Sequence, residues 1–334
     1  MSYKDIILLD EEDNYRFYSA EEILAKRLNR WIGWKCSAGV NNLHITADGN
    51  IFRGTCKVGG LLGNIFDAGV RFPKFWVTCN KEWCMCGTDM NFLKSKNKEN
   101  IKIERAQLKQ ELNYDPKATT IGLSEIEYSN DFPVMISWDL GRRCNFSCSY
   151  CPPSTANTFE AYKSWESLKF AVDSLQNNFF DGRRGKFVFT GGEPTLNPAY
   201  MDLVKYLRSY GHLVHTQTNG SRHQSYMVEL AGHSSIGFSV HFEQYSPQKL
   251  LETFVSLIEA KEKSQDHRNN WIGVRLMTPP GRLTEVLDFY DRVLAIPKFK
   301  DYAFLNLSPV YQKFNGNQLM DYSKEELDEI IKLS

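Results

Sequence analysis

The sequence predicts an α/β fold: a partial (β/α)6 TIM-like barrel preceded by a small cysteine-rich domain that contains a β-hairpin. Three observations carry the prediction. From residue 133 onward, apolar β-rich runs alternate with amphipathic helical stretches. The first hundred residues lack that alternation. All eight cysteines fall in two clusters, five between Cys36 and Cys86 and three between Cys144 and Cys151.

The runs at 134–138, 186–190, 213–216, 236–240, 271–277 and 303–307 read as strands. Apolar residues recur at helical spacing over 165–175, 201–207, 250–258 and 283–294. A last helix at 327–333 opens with a capping box of Ser323 and Glu326. Strands alternating with helices imply right-handed βαβ units and a parallel sheet. Six units fit an incomplete barrel better than a closed eightfold one, and the site of such folds lies at the C-terminal strand ends.

Residues 1–93 are the expected cysteine-rich domain, 94–130 a linker and 131–334 the barrel. Ser19 and Glu22 form a capping box ahead of a short helix at 21–31. Two β-like runs within 43–52, joined by Asp48-Gly49-Asn50, make a hairpin. The linker carries a short helix at 103–112, and its basic start, Lys94 to Lys98, reads as a solvated loop.

A chain of 334 residues, 42% of them hydrophobic, buries a core without help from metal. A metal site here therefore serves chemistry or one small subdomain. Lys+Arg and Asp+Glu number 40 each, and that balance argues against broad electrostatic binding of nucleic acid. No stretch approaches the roughly 20 apolar residues that span a bilayer. The N-terminus has early charges and no small-residue cleavage site, so a cytoplasmic protein with reduced thiols is expected. Clustered cysteines in such a chain point to metal rather than disulfides.

Cys144, Cys148 and Cys151 follow the first barrel strand and so lie on a strand-end loop. Three thiolates within eight residues can hold three irons of a cubane cluster and leave one iron open. A closed zinc site needs four ligands, and no fourth Cys or His lies nearby. The C-x3-C-x-aromatic-C pattern, with Tyr150 as the aromatic, resembles the signature of the radical S-adenosylmethionine (SAM) superfamily. Thr190-Gly191-Gly192-Glu193-Pro194, one strand later, is similar to the family's Gly-Gly-Glu segment. The resemblance implies that Gly191, Gly192 and Glu193 hold the amino group of SAM. It implies further contacts from Thr218-Asn219-Gly220, from Ser239 toward the ribose and from Arg275 toward the carboxylate. It implies reductive cleavage of SAM to a 5′-deoxyadenosyl radical that abstracts hydrogen from an unreactive carbon. An electron donor such as flavodoxin or ferredoxin would drive it. A peptide or protein side chain is the first expected substrate and a small metabolite the second. A non-catalytic iron–sulfur redox or sensor protein is the rival class, and it leaves Gly191-Gly192-Glu193 unexplained.

In the N-terminal domain Cys36 and Cys56 flank the hairpin, and Cys79, Cys84 and Cys86 follow as a tight group. Together they can supply a four-thiolate site. The stretch from Cys36 to Ile65 resembles the SPASM/Twitch auxiliary-cluster domains, which normally follow the barrel and here precede it. The resemblance implies one auxiliary [4Fe–4S] cluster. Five cysteines are too few for two four-thiolate clusters, and a zinc-stapled minidomain is the alternative. Trp31, Trp34, Trp76 and Trp83 are expected to pack this module.

Overall fold

The computed structural model describes residues 4–9, 15–19, 23, 27–84, 87–90, 94–96, 134–151, 159–244, 248–263, 270–312 and 319–333. Cys86, the 103–112 helix and the linker beyond residue 96 lie outside the described residues. The chain forms two compact units, one of residues 1–137 with 170–186 and one of residues 138–169 with 187–334. No helix among the described residues is long and apolar enough to cross a membrane.

Among the described residues up to 96 the first unit has the short strands β1 (Lys4–Leu9), β2 (Tyr15–Ser19), β3 (Lys35–Cys36), β4 (Asn42–Ile45), β5 (Asn50–Phe52), β6 (Leu61–Asn64), β7 (Val77–Thr78) and β8 (Lys94–Ser95). A one-turn helix, α1 (Gly87–Met90), precedes β8. One sheet runs β2-β1-β8-β3-β7. In it β3 is antiparallel to both neighbours, β8 and β7, so Cys36 lies opposite Val77 on one side and Lys94 on the other.

The predicted hairpin is β4–β5, extended by β6. Gly49 makes its turn at φ +84°, with the Phe66 ring and Asn64 Oδ1 packed where a side chain would begin. Its amide donates to Thr46 O (2.8 Å), and its carbonyl accepts from Ile65 N (2.8 Å). In the same unit Arg183 donates to Val40 O (3.0 Å), and the Phe72 and Phe179 rings meet at 5.0 Å.

Two expectations are corrected here. The 21–31 helix does not reach Trp31: Ile23 is helical, but 28–31 are not, and Ser19 ends β2. Arg27 turns left-handed at φ +52°, and Leu28 N closes onto Ile23 O at 2.8 Å, which ends a helical turn. The backbone beyond pairs with the cysteine segment instead: Asn29 O accepts from Cys84 N and Trp34 O from Cys79 N. The basic start of the linker is not a solvated loop either, since Lys94–Ser95 is a buried strand.

The second unit carries the strand-and-helix alternation. The strands are β9 (Val134–Asp139, of which Trp138 and Asp139 belong here), β10 (Gly185–Thr190, from Phe187), β11 (Leu213–Thr218), β12 (Ser235–His241), β13 (Ile272–Thr278) and β14 (Ala303–Pro309). Each lies beside its predecessor, β11 to β14 pair in parallel, and among the described residues β14 is the last strand of the order. The helices are α2 (Trp165–Leu175, of which residues up to Lys169 belong here), α3 (Tyr200–Ser209), α4 (Gln224–Ala231), α5 (Gln248–Lys263), α6 (Leu283–Leu294), α7 (Phe299–Tyr302) and α8 (Lys324–Lys332), the last opened by the Ser323–Glu326 capping box.

Period-two alternation sorts the strand residues. Phe238, Val240, Val274 and Leu276 are buried, with the Phe238 ring edge-on to Phe254 of α5 at 5.1 Å. Gln217, Gly237, Ser239, Arg275 and Asn306 take the other face in register.

Gly49→Ala is expected to destabilise the first unit by about 1–3 kcal/mol, because an L-residue is strained at this φ and meets the Phe66 ring. Urea unfolding of the two proteins measures it.

Candidate functional site

The cysteine loop begins where β9 ends, and the turn after β10 is seated on it by backbone contacts. Gly191 adopts φ +118°, and a Cβ there would strike the Gly141 carbonyl; one on Gly192 would strike that of Arg143. Those same carbonyls accept hydrogen bonds from Gly192 N (2.8 Å) and Glu193 N (2.8 Å), while Leu140 N donates to Thr190 O (2.9 Å). The two glycines thus let two strand-end loops touch backbone to backbone immediately before Cys144.

Glu193 is buried and turned inward. Its Oε1 accepts from Thr195 N (3.2 Å), Thr195 Oγ1 (2.5 Å) and Thr218 Oγ1 (2.8 Å), and its Oε2 accepts from Asn219 N (2.6 Å). Burial raises its pKa, and the hydrogen bonds from Asn219, Thr195 and Thr218 oppose the shift. Glu193 therefore ties the end of β10 to the end of β11. Asn219, held by that tie, donates from Nδ2 to Asn145 Oδ1 (3.0 Å) and to Cys144 Sγ (3.8 Å). Cys144 Sγ also accepts from Phe146 N at 3.4 Å.

The far side of the loop is held by the end of β12. Ser147 N donates to Gln244 Oε1 (3.0 Å), and Glu243 accepts from Ser149 N (2.8 Å) and Ser149 Oγ (2.7 Å). Tyr150 stacks on His241 with ring centres 5.8 Å apart, and its hydroxyl shares a hydrogen bond with His241 Nδ1 (2.9 Å). Burial lowers His241 to about 4, so the imidazole is neutral at pH 7. Burial, then the charges of Cys148 and Glu243, raise Tyr150.

Within the loop Cys148 and Cys151 hydrogen-bond to each other, which lowers Cys151 to about 7 and raises Cys148. Burial raises Cys144. The three thiols thus share one loop, and that donor set fits an iron–sulfur cluster. Among the described residues no three His, Cys, Asp or Glu side chains converge tightly enough to share a single ion. A cubane places its thiolates on separate irons and does not require such convergence.

The polar row of the sheet extends from this loop. Ser239 Oγ accepts from Gln217 Nε2 (2.8 Å), Gly237 leaves room for the Gln217 side chain, and Ser239, Arg275 and Asn306 are cross-strand neighbours. Arg275 is exposed, and Asn306 Oδ1 is buried without a hydrogen-bond partner. Of the residues implicated by the sequence, Tyr150, Gly191, Gly192, Glu193, Thr218 and Asn219 gather around the cysteine loop, while Ser239 and Arg275 lie along the sheet. Asn145, His241, Glu243 and Gln244 were not assigned from sequence. Their signals were slight: adjacency to Cys144 for Asn145, and a position at a strand end for the other three.

Residues 138–256 match the family model described as the radical SAM superfamily. This segment is a radical SAM domain. Relatives of the domain include the Fe-coproporphyrin III synthase of Methanosarcina barkeri, 29% identical over 34% of this chain and 29% of that protein. The mycofactocin maturase MftC of Mycobacterium tuberculosis is 30% identical over 30% of this chain and 25% of its own length. The chain thus spans less than a third of the length of these curated relatives. Among solved structures, SuiB of Streptococcus suis covers 60% of this chain and 45% of its own, at 12% identity and a TM-score of 0.44. The radical SAM family implies a [4Fe–4S] cluster and SAM.

The first unit holds a second set of thiols. Cys36 lies on β3; the amides of Cys79 and Cys84 donate to Trp34 O (2.8 Å) and Asn29 O (2.9 Å); and Cys56 N donates to Asp89 Oδ2 (2.7 Å). Burial raises Cys36 and Cys84 and pushes Cys56 up to about 12, where Asp89 adds to the effect. Cys79 and Cys84 pack with Trp31, and Cys36 and Cys56 with Val58 and Val77. Cys36 feels the charge of Cys79, Cys56 that of Cys36, and Cys84 those of Cys56 and Cys36.

Glu193→Gln replaces one acceptor oxygen with a donor amide and is expected to cost about 1–3 kcal/mol in chemical denaturation. Glu243→Ala removes the partners of Ser149. Amide exchange across residues 147–151 should then quicken with no change in far-UV circular dichroism.

Proposed function

We propose that the radical SAM domain holds a [4Fe–4S] cluster on Cys144, Cys148 and Cys151 and cleaves SAM reductively to a 5′-deoxyadenosyl radical for C–H functionalisation. The observation that carries this reading is the seating of Gly191-Gly192 on the carbonyls of residues 141–143, which fixes the cysteine loop against the strand ends. When bound, cluster and SAM supply the radical chemistry. The chain's own residues orient them. Glu193 acts as a positioning residue that presents Thr218 and Asn219; Tyr150, braced by His241, walls one side; and Ser239, Arg275 and Asn306 offer hydroxyl, cation and carbonyl along the sheet. A guanidinium suits a carboxylate such as that of SAM. A flavodoxin or ferredoxin is the proposed electron donor.

A peptide or protein side chain is the first proposed substrate, supported by the likeness to a maturase. A small metabolite is the second, supported by the likeness to a coproporphyrin synthase. Mass spectrometry of 5′-deoxyadenosine formed with deuterated candidates separates them. Deuterium is expected from a peptide, and its consistent absence with peptides alongside transfer from a small molecule would reverse the order.

For the first unit we propose one auxiliary centre on Cys36, Cys56, Cys79 and Cys84, a [4Fe–4S] cluster before zinc, in a Twitch-like module. Its support is four thiols in one module, three of them buried and Cys56 half-buried, together with buried N–H groups that lack acceptors, Trp31 Nε1 and Arg53 Nε. Anaerobic reconstitution tests both centres. About eight irons are expected per wild-type chain and about four in a Cys144→Ala/Cys148→Ala/Cys151→Ala variant, with 5′-deoxyadenosine formed by the wild type alone. Folded wild-type protein with no iron and no cleaved SAM would sink the proposal. Iron near four in the wild type, with zinc retained in the variant, would exchange the auxiliary cluster for zinc.

A further inference from the structure

Asn219 is 5% exposed, and both ends of its carboxamide are engaged. Ser221 N donates to Oδ1 (2.9 Å), which fixes the orientation of the amide and turns Nδ2 toward the cysteine loop. Nδ2 carries two hydrogens and meets two acceptors there, Asn145 Oδ1 (3.0 Å) and Cys144 Sγ (3.8 Å, within reach of the large sulfur atom). Asn145 Oδ1 accepts a second bond from Ser221 Oγ (3.3 Å). The main chain is held as firmly. Asn219 N donates to Glu193 Oε2 (2.6 Å) and Gly220 N to Thr218 Oγ1 (3.1 Å), and Gly220 turns away at φ +74°. Cys144 Sγ thus receives two N–H donors, the Asn219 amide and the backbone amide of Phe146 (3.4 Å). The backbone donor survives any substitution, whereas the side-chain donor can be removed. When an iron–sulfur cluster takes up an electron, the added charge spreads onto its thiolate sulfurs, and N–H groups aimed at them favour the reduced form. The effect is larger where water is kept out.

We propose that Asn219 sets the reduction potential of the cluster through its N–H···S bond to Cys144, and that its side chain is committed to this bond rather than to SAM. This rests on the reading of Cys144, Cys148 and Cys151 as cluster ligands. Acting through Cys144, Asn219 is a positioning residue. The step it biases is the gain of one electron by the oxidised cluster, taken from the donor protein; no bond is made or broken and no proton moves. The hydrogen bond eases that gain and, by the same amount, makes the reduced cluster a milder reductant toward SAM.

The test uses the reconstituted full chain, titrated with Ti(III) citrate and read by electron paramagnetic resonance without SAM. The signal of this cluster is the one missing from the Cys144→Ala/Cys148→Ala/Cys151→Ala variant. Asn219→Ala removes the donor. Asn219→Asp keeps the shape and the acceptor for Ser221 N but replaces the donor with a carboxylate. Asn219→Ala is expected to make reduction about tenfold less favourable, a negative shift of about 59 mV for a one-electron couple, and Asn219→Asp to shift it at least as far. A merely structural role predicts the reverse order, with the isosteric Asn219→Asp nearer the wild type. The Kd for SAM, measured calorimetrically on the oxidised holoenzyme, should stay near that of the wild type in Asn219→Ala. Iron content and thermal unfolding check loading and folding, and Asn219→Asp decides the matter if Asn219→Ala does not fold. Unchanged potentials in loaded variants would overturn the proposal and leave the cluster standing, as would a smaller shift in Asn219→Asp than in Asn219→Ala. A raised Kd for SAM at unchanged potential would return Asn219 to SAM contact. Failure of both variants to fold or to hold the cluster would make the residue purely structural. A folded wild type that binds no iron on Cys144, Cys148 and Cys151 would remove the cluster reading itself, and this proposal with it.

Discussion

The contact on which the second unit depends is made by backbone. Gly192 N and Glu193 N donate to the carbonyls of Gly141 and Arg143, at a separation that any Cβ on residues 191 or 192 would prevent. That contact fixes the start of the cysteine loop relative to the end of β10. Glu193 carries the constraint onward, because its buried carboxylate accepts from the end of β11 and so sets Asn219 beside Cys144. The end of β12 closes the other side through His241, Glu243 and Gln244. Four successive strand ends therefore position three thiols. A reactive cluster needs such a shell, since ligands held only by their own loop would be free to rearrange.

The first unit solves a similar problem differently. Its strands are short, and its cysteines are held by local bonds: the amides of Cys79 and Cys84 donate to Trp34 O and Asn29 O, and that of Cys56 donates to the Asp89 carboxylate. The pieces are held around a buried cation, Lys94, which ends α1, faces Trp31 and pairs across the sheet with Cys36.

Much of the architecture was legible in the sequence because it repeats a local pattern. Each of the six barrel strands lies within two residues of its expected ends, and the capping box at Ser323 sits where its residues predict. The hairpin around Gly49 was legible because Asp-Gly-Asn leaves the chain few alternatives. The 21–31 helix was misjudged because a capping box marks where a helix starts and not where it stops, and here Asn29 and Trp34 give their carbonyls to Cys84 and Cys79. Lys94 was misread for a related reason. A run of lysines and asparagines looks solvated, and nothing local reveals that two neighbouring strands will cover it.

The sequence by itself determined the chemistry on offer: three cysteines at a spacing suited to a cluster, two glycines one strand later, and a second group of thiols before the barrel. Spacing along the chain is enough for these, because ligand type and loop length limit what can be bound. Only the tertiary structure decided which way each polar group faces. It turned the Glu193 carboxylate inward onto Thr218 and Asn219, brought Glu243 to Ser149 across more than ninety residues, and buried the Lys94 ammonium beside Cys36. The physical reason is that a buried charge takes whatever partners the folded chain brings to it, and those partners lie on other strands.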